Sequence, residues 1–247
     1  MTINNKPIGE IIESGTTAFI AQCLEVPREI VPRLYDPPPF GSFVKIGKPS
    51  PQAEAPALAE LPEDEDDPFA LPFDAPAPRA ARAGTGMAAA VYALVYGANT
   101  ASLEPNRRPS ALGFEDEDEM RKRQPQIFEL LRTEFSGLLI AYSEGGDKPL
   151  RRHLPPLPPR IHGRVYPCTP DETRLLTEDL SFLRSILLPS GGALAGVPSD
   201  ELAAACLRQA RESHPDDQAF LLRAGQTLAK FMANDYERLQ AILRNVI

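Results

Sequence analysis

The sequence predicts an α+β fold: a small six-stranded β-barrel over residues 1–167, carrying a disordered acidic insertion at 50–86, then an α-helical domain over 168–247. Three observations predict it. Short runs rich in β-branched and aromatic residues, bounded by Gly, Ser and Pro, recur through the first two thirds of the chain. Residues 50–86 are Ala, Pro and acid, with few large apolar side chains to offset the entropy of ordering. From Thr169 the apolar period changes from two to about three and a half, the helical repeat.

The first two strands are residues 7–13 and 16–23, split by Ser14-Gly15, which has hairpin-turn composition. The third, residues 40–46, follows Asp36-Pro37-Pro38-Pro39, whose fixed φ angles make a stiff lead-in. The insertion holds Glu63-Asp64-Glu65-Asp66-Asp67. It reads either as a tolerated solvated loop or as an acidic arm that docks on a basic partner, with Phe69, Leu71 and Phe73 as anchors between prolines.

Val91-Tyr92-Ala93-Leu94-Val95-Tyr96 is the fourth strand, followed by a polar loop over 99–113. Residues 115–123 are nearly all charge, acidic then basic, as in a solvated connector or the exposed start of a helix. One or two helical turns are expected over 125–131, and a fifth strand over 133–142. Pro155-Pro156-Leu157-Pro158-Pro159 dominates residues 150–160 and favours an extended polyproline segment leading to the sixth strand at 161–166.

Beyond Thr169, helical stretches are expected at 171–176 and 178–188. A longer helix opens near Pro198-Ser199, with Ser199 as N-cap and acids in its first turn, and runs to about Glu212. The last begins near Pro215-Asp216 and continues almost to Ile247, with a bend at Asn234-Asp235. Leu221, Ala224, Leu228 and Phe231 form one apolar stripe on it; Met232, Tyr236, Leu239, Leu243 and Val246 form an adjoining one.

With 43% hydrophobic residues the chain can bury a core, and its formal net charge of -8 argues against a surface that grips nucleic acid along its length. Any DNA contact is expected to be local. Cys23, Cys168 and Cys206 are odd in number and far apart, so neither a disulfide framework nor a zinc ribbon is expected. The N-terminal residues lack the pattern of a signal peptide, and no apolar run reaches the roughly 18 residues that span a bilayer. A soluble cytoplasmic protein is the expectation, with no membrane contact.

No motif identifies a reaction. Gly41 to Lys48 superficially resembles a phosphate-binding loop, but Lys48 is followed by Pro49 where that loop needs Ser or Thr, and the segment is a strand. His153, His162 and His214 match no metal-ligand spacing, and no cofactor is expected. Grouping His162 and Cys168 with a carboxylate as a cryptic catalytic site has no surrounding signature to support it. The stronger candidate is the basic cluster Lys148, Arg151, Arg152, His153, Arg160, His162 and Arg164 around the proline run, which would draw an anion to an acidic protein. It reads as a solvated loop, as the contact for a protein groove that binds polyproline, or as a nucleic-acid phosphate contact. Few aromatics stand nearby to stack bases, which favours the protein over nucleic acid.

The order of these segments resembles the HAS-barrel, the small β-barrel of the HerA helicase and the ATP synthase. The residues that carry the likeness are Pro7-Ile8-Gly9-Glu10-Ile11-Ile12-Glu13, the 37–45 stretch with Gly41, the 91–96 strand, and the proline-led stretch over 155–166. In that family the barrel precedes a hexameric ATPase domain, helps assemble the ring and docks accessory proteins such as the NurA nuclease. These residues contain no Walker A sequence, so the resemblance implies docking and assembly without ATP hydrolysis. The expected function is a non-catalytic adaptor that binds a HerA-like ring ATPase or its NurA-like nuclease partner in DNA processing. The alternatives are a self-assembling structural subunit of an unrelated complex, with the chain as a homo-oligomer, and the cryptic enzyme.

Overall fold

A computed structural model of the chain describes residues 6–24, 37–47, 89–104, 108–114, 116–124, 127, 130–145, 149–188, 192–214 and 216–246. The insertion at 50–86, with Phe69, Leu71 and Phe73, lies outside the described residues, as does Lys148. Strands β1 (Gly9–Ser14), β2 (Ala18–Cys23), β3 (Phe43–Gly47), β4 (Ala90–Ser102), β5 (Leu131–Ser143) and β6 (Arg164–Pro167) close into a barrel in the order β1-β2-β5-β4-β3-β6. Every neighbouring pair is antiparallel, and closure leaves each strand a partner on both sides within the barrel wall. Bulges at Ile12 in β1, at Tyr96 in β4 and at Ile140 in β5, opposite Tyr92 and Ala93, supply the bending that a small barrel needs.

Side chains fill the interior. Ile11, Phe19, Val44, Ile46, Val91, Phe135, Leu139 and Val165 form one buried cluster. The Phe19 and Phe135 rings meet edge to face, centroids 6.3 Å apart. Glycines make room for them: a Cβ on Gly9 would lie 2.6 Å from the Phe135 ring, and one on Gly137 would collide with Phe19.

The outer face of β3, β4 and β5 is covered too. Phe43, Tyr92, Leu94, Leu138 and Ile140 belong to a second cluster that continues into helices α2 (Pro170–Thr177), α3 (Leu183–Leu187), α4 (Ser199–Arg211), α5 (Asp217–Phe231) and α6 (Tyr236–Val246). Burial on both faces is why Val91 to Val95 reads as an unbroken apolar run rather than an alternation. One polar group enters this seam. Lys45, 6% exposed, donates to Glu172 Oε1 at 2.6 Å, while Glu172 Oε2 accepts from Thr169 N and Thr169 Oγ1 accepts from Glu172 N, closing a capping box.

Several boundaries differ from the sequence reading, each for a local reason. β3 starts at Phe43 because Gly41 turns the chain with φ +80, and β6 starts at Arg164 because His162 takes φ 65 in a turn. β4 and β5 are 13 residues each, so Asn99, expected in a loop, is paired with Glu134 in a ribbon that runs past the barrel. Leu131, expected to end a helical segment, opens β5, while Ile127 within that segment is helical; the charged stretch at 115–123 starts a helix of its own, α1 (Glu117–Arg123), where Asp116 Oδ1 accepts from Glu119 N and acids precede bases along the dipole. Only Leu183–Leu187 of the 178–188 stretch is helical, since Asp179 Oδ1 takes the Ser181 amide in a turn. Ser199 is the first residue of α4 rather than its cap, and its Oγ accepts from Arg238. The last helix, expected to bend at Asn234-Asp235, is instead broken over 232–235 into α5 and α6, with Asp235 Oδ1 accepting from Arg238 N at the start of α6.

Candidate docking site at the barrel end

The proline-rich segment crosses one end of the barrel, and its ends are pinned to the wall. Arg151 and Tyr142 exchange backbone hydrogen bonds of 2.9 Å, and the Tyr142 ring meets the His153 ring edge to face at 5.2 Å. Ser14 Oγ donates to Pro159 O, His162 N donates to Ile11 O, and Ile11 N donates to Gly163 O. Pro155 and Pro159 are buried, so the prolines serve as the floor of the strip. Leu154, Leu157 and Ile161 are 45%, 55% and 48% exposed, a concentration of apolar surface that a folding core does not account for.

A groove of about 320 Å³ runs beside this strip, with Ile46, Val91 and Tyr166 from the wall, Leu157 and Pro158 from the strip, and Arg160 and Arg164 among its lining. A second cavity, about 520 Å³, lies on the Leu154 side against Thr17, Leu138, Arg184 and Leu188. The chain bends at Pro156-Leu157, which sets Leu157 outward at the turn.

Two pairs within the basic cluster stand against acids. Arg151 lies 3.7 Å from Glu144; Arg152 donates to Leu175 O at 2.9 Å and lies 3.4 Å from Glu178. On the other side, Glu10 takes His162 Nδ1 and Arg164 Nη1, each at 2.6 Å. The His162 hydrogen bond and the Arg164 charge hold the Glu10 carboxyl below its usual range. Arg160 is exposed along the groove. Of the basic cluster, Arg160 and Arg164 line the groove, while Arg151 and Arg152 stand against acids outside it. His162 also carries a left-handed backbone conformation, in which a β-carbon is disfavoured, and the bond to Glu10 fixes its ring there.

The other groups considered from the sequence lie elsewhere in kind. His162 is bound to Glu10, whereas Cys168 stands among Lys45, Glu172 and Tyr92. Burial and the Glu172 charge push the Cys168 thiol well up, and burial pushes the Cys23 thiol up to about 11 and raises that of Cys206 further. Tyr92 is likewise pushed up to about 12 by burial and by Glu172. All three cysteines are free. The buried Lys45–Glu172 pair was not anticipated; its signals were a Lys two residues from Phe43 in an apolar strand and the Thr169-x-x-Glu172 capping spacing. Among the described residues, no group of three or more His, Cys, Asp or Glu is placed to hold a metal ion, and no helix is long and apolar enough to cross a membrane.

No family model matches the chain, and no curated protein matches it.

Proposed function

We propose that this chain is a non-catalytic adaptor that docks, through the open groove at its barrel end, on a HerA-like ring ATPase or its NurA-like nuclease partner. The observation that carries this reading is the groove itself: wall residues Ile46, Val91 and Tyr166 facing a strip whose Leu154, Leu157 and Ile161 are turned to solvent. An apolar floor beside Arg164, which is already matched to Glu10, suits a protein surface better than a phosphate backbone, which draws on uncompensated cations. The formal net charge of -8 acts in the same direction. The raised thiol pKa values disfavour the three cysteines as nucleophiles.

The test is affinity capture of the tagged full-length protein from its native cells, with mass spectrometry of what is retained. A ring ATPase or nuclease is expected with the wild type and is lost with Leu157→Asp, whose exposed side chain allows the change without unfolding the barrel. Arg151→Glu with Arg152→Glu is expected to reduce capture less than Leu157→Asp. Recovery of neither class, or equal recovery with Leu157→Asp, overturns the reading.

A further inference from the structure

Beyond the barrel, β4 and β5 continue as a two-stranded ribbon, and one of its edges is bare among the described residues. β3 covers β4 only as far as Leu94, and the turn before it adds Val95, which donates to Ser42 O at 2.9 Å and accepts from Gly41 N at 2.8 Å. From Ala98 to Ser102 the ladder is to β5 alone. The direction of the remaining backbone groups follows from the bond at the far end. Leu103 N donates to Leu130 O at 2.7 Å and so points toward β5. Alternation along an antiparallel strand then turns the amides and carbonyls of Ala98, Thr100 and Ser102 away from β5. The Thr100 and Thr133 hydroxyls, 2.8 Å apart, agree: side chains come closest in the pairs that do not share backbone bonds.

Such an edge is a template for another strand. Proteins ordinarily blunt one with charge, proline or a covering loop, yet Gly97-Ala98-Asn99-Thr100-Ala101-Ser102 carries no charged residue and no proline. Ala98, Asn99 and Thr100 are exposed.

We propose that this edge pairs with the same edge of a second copy of the chain, antiparallel about a two-fold axis at Thr100. That register sets Thr100 against Thr100 of the second copy and Ala98 against Ser102 of the second copy, so each outward amide meets an outward carbonyl. It also brings Leu103, 49% exposed, opposite Gly97 of the second copy, where a Cβ would meet nothing within 4 Å. The large side chain and the vacant position are complementary, and the symmetry uses both twice. This pairing is separate from the barrel-end groove, so either can fail without the other.

The test is the mass of the full chain in solution across a concentration series, by light scattering and sedimentation equilibrium. The wild type is expected to dimerise. Ala98→Glu with Ser102→Glu places like charges opposite one another across the axis and is expected to weaken the dimer at least about tenfold. Ala98→Lys with Ser102→Glu makes the same two sites complementary and is expected to restore it to within about threefold. Far-UV circular dichroism checks that both variants are folded, and because they differ only in the sign of one charge, a general loss of structure affects both. A wild type that stays monomeric up to about 100 µM overturns the proposal, as does a dimer indifferent to both variants. A monomer in which the Ala98, Thr100 and Ser102 amides resist hydrogen exchange also overturns it, and assigns the edge to another segment.

Discussion

His214 illustrates how far a single side chain is fixed by its neighbours. Its ring stacks on Phe220 at 4.2 Å, and its Nε2 lies 2.8 Å from Thr177 Oγ1. The Thr177 hydroxyl already donates to Thr173 O at 2.7 Å, which leaves it an acceptor for Nε2–H and assigns the neutral tautomer. Burial, then the charges of Arg223 and Arg174, lower the His214 pKa; Glu178 opposes them. The unfolded chain therefore binds this proton more readily than the folded one. Stability is full above the unfolded value of about 6.5 and is lost as pH falls from there toward the lower folded value, below which the loss is constant. In urea unfolding between about pH 7.5 and 5, the difference in midpoint between wild type and His214→Gln is expected to shrink as pH falls. A difference that is constant across that window would mean the ring is not held neutral.

At the scale of elements, Gly41 joins barrel to helices. It has φ +80, and a Cβ there would lie 2.6 Å from Cys206 N and 2.7 Å from Ala205, both in α4. Gly41→Ala combines left-handed strain with backbone overpacking and is expected to cost about 3 kcal/mol, read as a lowered urea midpoint. Gly225→Ala, inside α5 with its nearest neighbour at 3.9 Å, is expected to stabilise by up to about 1 kcal/mol. The two substitutions add the same methyl with opposite sign. Gly41 also marks what the sequence allowed and what it withheld. Apolar patterning and turn composition located all six strands and the change to helices, because burial and backbone sterics act within a few residues. They did not extend β4 to Ser102, because Asn99 and Thr100 have loop composition and are held in the ladder by Glu134 and Thr133, more than 30 residues away in the chain. For the site, composition found the proline strip and its arginines, but not Glu10 and Glu178, whose approach depends on the closed barrel and on α2.

Across the whole molecule, the barrel and the helices share one apolar seam. Phe43, Tyr92, Leu94, Leu138 and Ile140 on the strands belong to the same buried cluster as Leu183, Ile186, Leu202 and Leu207 on the helices, and separating the two would expose both sides together. The chain has no tryptophan and 6 tyrosines, of which Tyr92 lies in the seam and Tyr142 at the barrel end, so tyrosine emission reports mainly on the barrel. Far-UV circular dichroism reports mainly on the helices. At one fixed protein concentration, the two signals are expected to change along a single urea transition. Lys45→Ala leaves the Glu172 carboxylate in the seam without its cation, at a cost of about 2 kcal/mol, toward the low end because Glu172 keeps 19% exposure. It is expected to lower both midpoints equally with the slope unchanged, since the surface released on unfolding is the same. Two separated transitions in the wild type, or a Lys45→Ala shift confined to one signal, would mean that the seam packs without coupling, and that barrel and helices unfold as independent bodies.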